Sequence, residues 1–91
     1  MILVTTYKLK PFLSNEETRQ LMEVFGEVGP GPGATAHYVA ADGSHGVVIS
    51  ETDDVVGGYR NILNYTQWVE YETNVMLRVE DAVPQIMDAL S

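Results

Sequence analysis

Two histidines are the side chains of this chain best suited to acid–base chemistry. His37 lies in the middle of a predicted strand, where an imidazole could act as a general base because histidine exchanges a proton near neutral pH. The alternative is a histidine that packs in an interface or bonds to a neighbour. His45 closely follows the turn-forming pair Asp42-Gly43, so we expect an exposed turn residue there. His37 is therefore the candidate catalytic residue.

Aromatic side chains form a second set. The chain has five tyrosines and one tryptophan, and aromatic walls with a few hydroxyl groups suit a flat, mostly apolar ligand. The alternative is that the tyrosines are half-buried with their hydroxyls at the sheet margins, since such side chains are more often core than ligand contacts. The predicted ligand-binding residues are Tyr7, Tyr38, Tyr59, Trp68 and Tyr71.

An enzyme built from these residues would use His37 to abstract an acidic C–H or O–H proton. Tyr7 or Tyr38 would donate a hydrogen bond to the enolate that forms, and Trp68 would flank the substrate ring. Successive strand residues point to opposite faces, so His37 and Tyr38 could meet only across a subunit boundary. Tyr7 and Tyr71 are therefore the safer pair for a pocket.

Neither a metal site nor a disulfide is predicted. The chain has no cysteine, which excludes thiolate ligands and disulfides. With a two-residue turn at Asp42-Gly43, each odd-numbered residue of one strand pairs with an even-numbered residue of the other, and paired residues share a face. His37 and His45 are both odd-numbered, so they lie on opposite faces. A joint metal site would need both on one face, although two subunits could combine theirs.

Hydrophobic periodicity and turn signals divide the chain into four strands and three helices. Ser14 and Glu17 form a capping box that begins the first helix, and glycines and prolines at 29–33 end it. The predicted strands are 2–9, 34–41, 45–51 and 68–79. The second helix follows a cap at 52–54, and Asp81 caps the third, with Pro84 in its first turn. The core-facing stripe expected on the second helix is Val55, Val56, Tyr59, Ile62, Leu63 and Thr66.

This order, βαββαβ with a final helix, is typical of an α+β, ferredoxin-like domain. Such a chain forms one four-stranded antiparallel sheet with two helices on one face. The opposite face would carry Ile2, Val4, Val48 and Met76, an apolar patch large enough to require a partner. We therefore predict a homodimer through the open sheet face.

Composition limits the classes of function. The 91 residues form one domain, 1–91, and 45% hydrophobic with 20% charged residues indicate a globular chain. A net charge of −8 opposes binding to nucleic acid or to an anionic membrane. No apolar run approaches the roughly 18 residues of a membrane span. The first residues lack the pattern of a signal peptide, so we expect a cytoplasmic location.

Several short segments resemble a known family. They are Ala41-Asp42-Gly43, Glu51-Thr52-Asp53-Asp54, Trp68 three residues after Tyr65, and Tyr71-Glu72-Thr73. Over about residues 35–82 the chain resembles a family of small bacterial proteins of unknown function with a ferredoxin-like fold, similar to the dimeric α/β-barrel group. The resemblance implies a homodimer with a pocket between the sheet and the helices, and it implies no particular reaction.

Some members of that wider group degrade haem, and their residue pattern is not met here. They place an asparagine on the first strand, a tryptophan near the start of the last strand and a histidine further along it. Trp68 fits, but Thr5 and Thr6 occupy the asparagine position and no histidine follows Trp68. Without an imidazole to hold iron, no cofactor is predicted.

Two functions follow from these observations. The first is a small-ligand-binding or interaction homodimer without catalytic activity. The second is a cofactor-independent enzyme of the isomerase, cyclase or monooxygenase type, acting on a small aromatic or polyketide-like compound. A cavity that contains His37 or two tyrosine hydroxyls would favour the enzyme.

Overall fold

The computed structural model describes residues 1–91. Four strands and three helices alternate in the predicted order, and the α+β, ferredoxin-like fold is confirmed. The elements are β1 Ile2–Leu9, α1 Asn15–Val28, β2 Ala34–Val39, β3 His45–Glu51, α2 Val55–Leu63, β4 Val69–Met76 and α3 Val79–Leu90.

The four strands form one antiparallel sheet in the order β2-β3-β1-β4. β1 is central and pairs with β3 on one side and β4 on the other. Its threonine, valine, isoleucine and tyrosine residues suit a pleated, covered surface. The register sets Tyr7 beside Tyr71 of β4 and Gly46 of β3. This row of three residues lies where the candidate site is built.

The residues of β2 and β3 pair as the sequence predicts. Tyr38 pairs with Val47, and His37 pairs with Val48. His37 and Tyr38 therefore point to opposite faces of the sheet, as expected. A β-bulge near the start of β2 shifts the register by one residue, and it lies outside the stretch that carries both side chains.

Helices cover one face of the sheet. The core there is a cluster of Tyr65, Trp68 and Val69, and Tyr7 of β1 and Phe25 of α1 pack against it. We call this the covered face. The other face, which we call the open face, carries the alternate residues of each strand. Its apolar members on the central strands are Ile2, Val4, Val47 and Ile49.

The prediction that Val48 lies on the open face is wrong. Val48 pairs with His37 on one side and Thr5 on the other, and it is 6% exposed on the covered face. The physical reason is the period of two along a strand, which puts Val47 and Ile49 on the open face instead. The open face is still apolar at its centre.

Both predicted caps of the first two helices are present. The Ser14 hydroxyl accepts from the Glu17 amide at 3.1 Å, and the Glu17 carboxylate accepts from the Ser14 amide at 3.3 Å. Asp54 caps α2 by accepting from the Gly57 amide at 2.8 Å. These bonds satisfy amides that have no partner inside the helix.

The orientation of α2 differs from the predicted one. Val56 is 80% exposed and Tyr59 is 64% exposed, while Ile62 and Asn61 turn toward the sheet. The predicted core-facing stripe is therefore wrong for most of its members. The part of α2 that faces inward is the less apolar side of the helix, which holds Asn61 and Gly58.

The last strand is shorter and the last helix longer than predicted. β4 begins after Trp68 and ends at Met76. Arg78 is the N-cap residue of α3 and has no side-chain cap bond, so Asp81 lies inside the first turn rather than at the cap. Pro84 lies within the helix. None of the three helices combines the length and apolar character that crossing a bilayer requires.

Candidate functional site

A cavity of about 270 Å³ lies between the covered face of the sheet and the helices α1 and α2. The resemblance implies a pocket at this place. Most of its wall is apolar, because α1 turns leucine, methionine and phenylalanine toward the sheet, the strands add further aliphatic residues, and α2 adds Ile62. The apolar wall residues include Leu9, Leu21, Met22, Phe25, Val39, Val48, Ile62 and Val69.

Tyr7 and His37 form a direct hydrogen bond in the cavity wall. The Tyr7 hydroxyl lies 2.7 Å from His37 Nε2, and the ring centroids are 5.7 Å apart in an edge-to-face arrangement. Burial raises the pKa of the Tyr7 phenol, so the phenol keeps its proton near neutral pH. It can therefore donate to a neutral imidazole.

Gly46 gives the Tyr7 ring room to reach His37. Gly46 lies on β3, between the strands that carry the two side chains. A Cβ at this position would overlap the Tyr7 hydroxyl and ring. The Phe25 ring then packs against His37 from α1, with centroids 5.6 Å apart. The imidazole is thus held between a phenol and an apolar ring.

Tyr71 places a second hydroxyl in the cavity. Its ring lies 6.0 Å from that of Tyr7 and 6.4 Å from that of Tyr65. Burial is the main cause that raises the Tyr71 pKa, and the neighbouring phenols Tyr65 and Tyr7 raise it further. The Tyr71 hydroxyl makes no hydrogen bond with another protein group, so it can bond to a ligand.

Polar bonds fix α2 to the end of α1 beside the cavity. The Tyr65 hydroxyl donates to the Gly29 carbonyl at 2.6 Å. The Asn61 amide donates to the Val28 carbonyl at 3.2 Å and to that of Gly29 at 3.4 Å. Burial raises the pKa of the Tyr65 phenol. Both side chains are thus used to hold the wall and are not free for a ligand.

His45 lies at the hairpin end of the cavity, apart from the Tyr7–His37 pair. Its Nδ1 is 2.8 Å from the Ser44 hydroxyl, which bonds to Asp42 at 2.7 Å. The hydrogen bonds from Ser44 lower the pKa of Asp42. These bonds close the exposed turn. No group of three or more histidine, cysteine, aspartate or glutamate side chains is placed to hold a metal ion.

Of the six predicted site residues, the structure brings three together: His37, Tyr7 and Tyr71. Tyr38 is 63% exposed on the opposite face, and Tyr59 lies on the outer side of α2, so neither lines the cavity. Trp68 is 5% exposed in the core, and its indole Nε1 has no hydrogen-bond partner.

Sequence reasoning missed Phe25 and Asn61 as wall residues. Phe25 belongs to the apolar stripe that identifies α1, and nothing in the pattern separates it from an ordinary core residue. Asn61 carried a signal that could have been used. It is a polar residue next to Ile62 and four positions before Tyr65, so it lies near the side of the helix that faces the protein core. A polar side chain there requires a hydrogen-bond partner.

A family model described as a domain of unknown function, DUF3303, matches residues 1–90. The match spans all seven elements of the fold. No curated protein matches the chain.

Proposed function

The chain belongs to the DUF3303 family, and from the cavity geometry we propose that it binds a small, flat, mostly apolar molecule with one hydroxyl or carbonyl group. The observation that carries the proposal is the unpaired Tyr71 hydroxyl beside the Tyr7–His37 bond in an otherwise apolar wall. Pockets for small molecules have this composition: apolar surface for affinity and a few polar groups for orientation.

The volume limits the ligand to one or two rings. Pockets for drug-sized ligands occupy roughly 300–1,000 Å³, and this cavity has about 270 Å³. The rings of Tyr7, Phe25 and Tyr71 offer edges and faces to an aromatic ligand. A hydroxyl on that ligand could bond to Tyr71 without disturbing the Tyr7–His37 pair.

Isothermal titration with 2-naphthol and with naphthalene tests this proposal. Both probes fill the same space, and only 2-naphthol carries a hydroxyl. We expect Tyr71→Phe to weaken 2-naphthol binding about fivefold, the worth of about one neutral hydrogen bond, and to leave naphthalene binding unchanged. Tyr59→Phe is the matched control because that hydroxyl lies outside the cavity.

Three results would overturn the binding proposal. Neither probe binds at its solubility limit, or Tyr59→Phe weakens binding as much as Tyr71→Phe does, or the two probes respond equally to Tyr71→Phe. The last result would show that the cavity takes apolar compounds without using its hydroxyl.

A second function is favoured by the presence of His37 in the cavity together with two tyrosine hydroxyls. In this proposal the substrate displaces the Tyr7 hydroxyl from His37 Nε2, that nitrogen takes a proton from a carbon next to a carbonyl group, and Tyr71 donates a hydrogen bond to the enolate oxygen. The proton returns to the same or a neighbouring carbon, so the reaction is an isomerisation that needs no cofactor.

Proton exchange from 2-tetralone in D₂O, followed by NMR, tests the second function. The protein should accelerate exchange of the protons next to the carbonyl, and His37→Gln should remove the acceleration while retaining 2-naphthol binding. His45→Gln is the matched control. An equal rate with and without protein, or an equal loss in both variants, would exclude general-base catalysis by His37.

We also propose that the chain forms a homodimer through its open face. Val4 pairs with Ile49 there, and Ile2 and Val47 each lie two residues along the strand from that pair. These four side chains form an apolar patch, and patches of this kind mark contact surfaces. Sedimentation velocity at micromolar concentration should show a dimer, and a stable monomer would exclude it. A cytoplasmic location and a bacterial origin stay predictions.

A further inference from the structure

The C-terminal helix α3 has an apolar stripe that nothing in its own chain covers. No residue of α3 is buried, and the stripe residues are between 46% and 77% exposed. A 12-residue helix is marginal in water unless its apolar face packs against something. The stripe consists of Val79, Val83, Ile86, Met87 and Leu90.

The molecule is elongated, as expected if α3 extends away from the sheet. The radius of gyration is 15.9 Å and the longest dimension is 58 Å, whereas a compact domain of this length has a radius of about 12 Å. An eight-residue strand spans roughly 26 Å and a 12-residue helix roughly 18 Å. A strand and a helix placed end to end span about 44 Å, so a dimension of 58 Å fits an arrangement in which α3 continues past the end of β4 as an arm.

The connection between β4 and α3 is short and carries one ion pair. It consists of Leu77 and Arg78, and Arg78 has an extended backbone. The Arg78 guanidinium forms an ion pair at 2.7 Å with Glu51 at the end of β3. Ile2 lies between the two strands at that end. The ion pair thus links the start of α3 to the end of β3 across the start of β1.

The open face is the surface that matches the arm. α1 and α2 line the cavity on the covered face and α3 has no buried residue, which leaves Ile2, Val4, Val47 and Ile49 of the open face without a packed helix. Strands of six to eight residues are about 20–26 Å long, which accommodates a helix of about 18 Å. A sheet with apolar residues on both faces needs a layer on each.

We propose that α3 is an exchanged arm, which packs its apolar stripe on the open face of a second copy of the chain while that copy's arm packs on the first. The inference rests on the proposed homodimer and specifies which element of the partner covers the open face. A two-fold exchange covers the apolar stripe of α3 and the open face in both chains, because each chain carries the arm and the surface that receives it.

The contact area is sufficient for a stable dimer. Five stripe side chains at roughly 60 Å² each, an equal area on the sheet and two arms give about 1,200 Å² in total, the lower bound of specific interfaces. Contact between the two sheets beside the arms would add to it. A lone arm on an unrelated surface would bury only half as much.

Disulfide trapping between two different variants tests the exchange, and the absence of native cysteines makes it specific. One chain carries Val4→Cys and a tag that changes its size, and the other carries Ile86→Cys. Disulfides form only where Cβ atoms approach to about 4 Å. After mixing and mild oxidation, we expect a covalent product that contains one chain of each kind.

Val56→Cys in place of Val4→Cys is the matched control, because Val56 is an exposed apolar residue on α2. Equal trapping with Val56→Cys would mean random collision or a different docking surface, and it would overturn the proposal. So would a product that joins only two Val4→Cys chains, since the sheets would then meet directly. In a chain with both Val4→Cys and Ile86→Cys, a linked monomer would show that the arm folds back on its own sheet.

Sedimentation of full-length variants separates this inference from the dimer on which it rests. Ile86→Glu should raise the dimer dissociation constant at least tenfold, and Val56→Glu should leave it unchanged. If the wild-type chain is monomeric, both the dimer and the arm exchange are wrong. If the wild-type chain and Ile86→Glu dimerise equally, the arm exchange is wrong and the dimer stands.

Discussion

Tyr7 reaches His37 only because residue 46 has no side chain. A methyl group on Gly46 would overlap the Tyr7 ring, and the 2.7 Å bond to His37 depends on the position of that ring. The sequence predicted the two residues but not the bond between them. Each residue was a candidate, but no local pattern shows that a glycine on the strand between them permits the contact.

Gly46→Ala should therefore displace Tyr7 and lower the free energy of unfolding by about 1–3 kcal/mol, the usual cost of overpacking. Urea unfolding measures the change. Gly58→Ala is the control, because nothing lies within 4 Å of its added Cβ, and replacing a helical glycine should stabilise by about 0.5–1 kcal/mol. Equal effects of the same sign would show that the Tyr7 position is not constrained.

The buried phenols predict how stability depends on alkaline pH. Burial raises the pKa of Tyr7, Tyr65 and Tyr71 above the unfolded value of about 10. The folded state therefore favours the protonated phenols. Their contribution is fully present below about pH 10 and is lost as the pH rises through the folded pKa values.

Urea unfolding between pH 8.5 and 11 should accordingly show a declining free energy of unfolding above about pH 10. Tyr71→Phe should flatten that decline more than any other single change, since its pKa is raised furthest. Tyr59→Phe removes an exposed phenol and should retain the wild-type decline. Stability that rises with pH in this range would contradict the burial of Tyr71.

At the scale of elements, caps and turns were predictable and the rotation of α2 was not. The capping box at Ser14 and the cap at Asp54 are local bonds, so local sequence specifies them. α2 carries an apolar stripe, yet it turns Asn61 inward because that amide bonds to the carbonyls at the end of α1. Such a long-range polar bond leaves no periodic signal.

Gly33 shows a stronger constraint where α1 is joined to β2. Its φ is 71°, and an added Cβ would overlap the Glu51 carbonyl oxygen. Gly43 has a similar φ of 74° with nothing within 4 Å. Gly43→Ala should cost about 1 kcal/mol for the left-handed backbone alone, and Gly33→Ala a further 1–3 kcal/mol for the overlap.

Urea unfolding of the two glycine variants measures this difference directly. If both substitutions cost the same, the contact between residue 33 and the Glu51 carbonyl has no energetic weight. The sequence shows only that residues 29–33 form a connector. It does not show which of the three glycines is enclosed by the neighbouring strand.

For the molecule as a whole, the order of elements was sufficient to predict the fold. It was insufficient to predict which apolar surfaces the single chain leaves exposed. Periodicity identifies α3 as amphipathic, but it does not tell whether the surface that covers the helix belongs to the same chain. Periodicity likewise did not show that the side of α2 that carries Tyr59 faces solvent. Both are apolar surfaces left exposed by a single chain.

Net charge makes the proposed dimer sensitive to salt in a definite direction. Each copy carries −8, so two copies repel one another, and added salt screens that repulsion as the Debye length falls from about 10 Å at 0.1 M to about 3 Å at 1 M. An interface of apolar side chains gains nothing from low salt. The dimer dissociation constant should therefore fall as sodium chloride is raised over this range, as measured by sedimentation equilibrium.

Charge variants locate the source of this effect. Glu72 lies on β4 beside Thr6, on the open face, so Glu72→Gln should tighten the dimer at low salt and reduce its response to salt. Glu23→Gln on α1 removes the same charge at a distance from the open face, so it should have a smaller effect on the dissociation constant and on its response to salt. A dissociation constant that rises with salt would instead show an interface held by ion pairs, and the apolar contact proposed for the open face would be wrong.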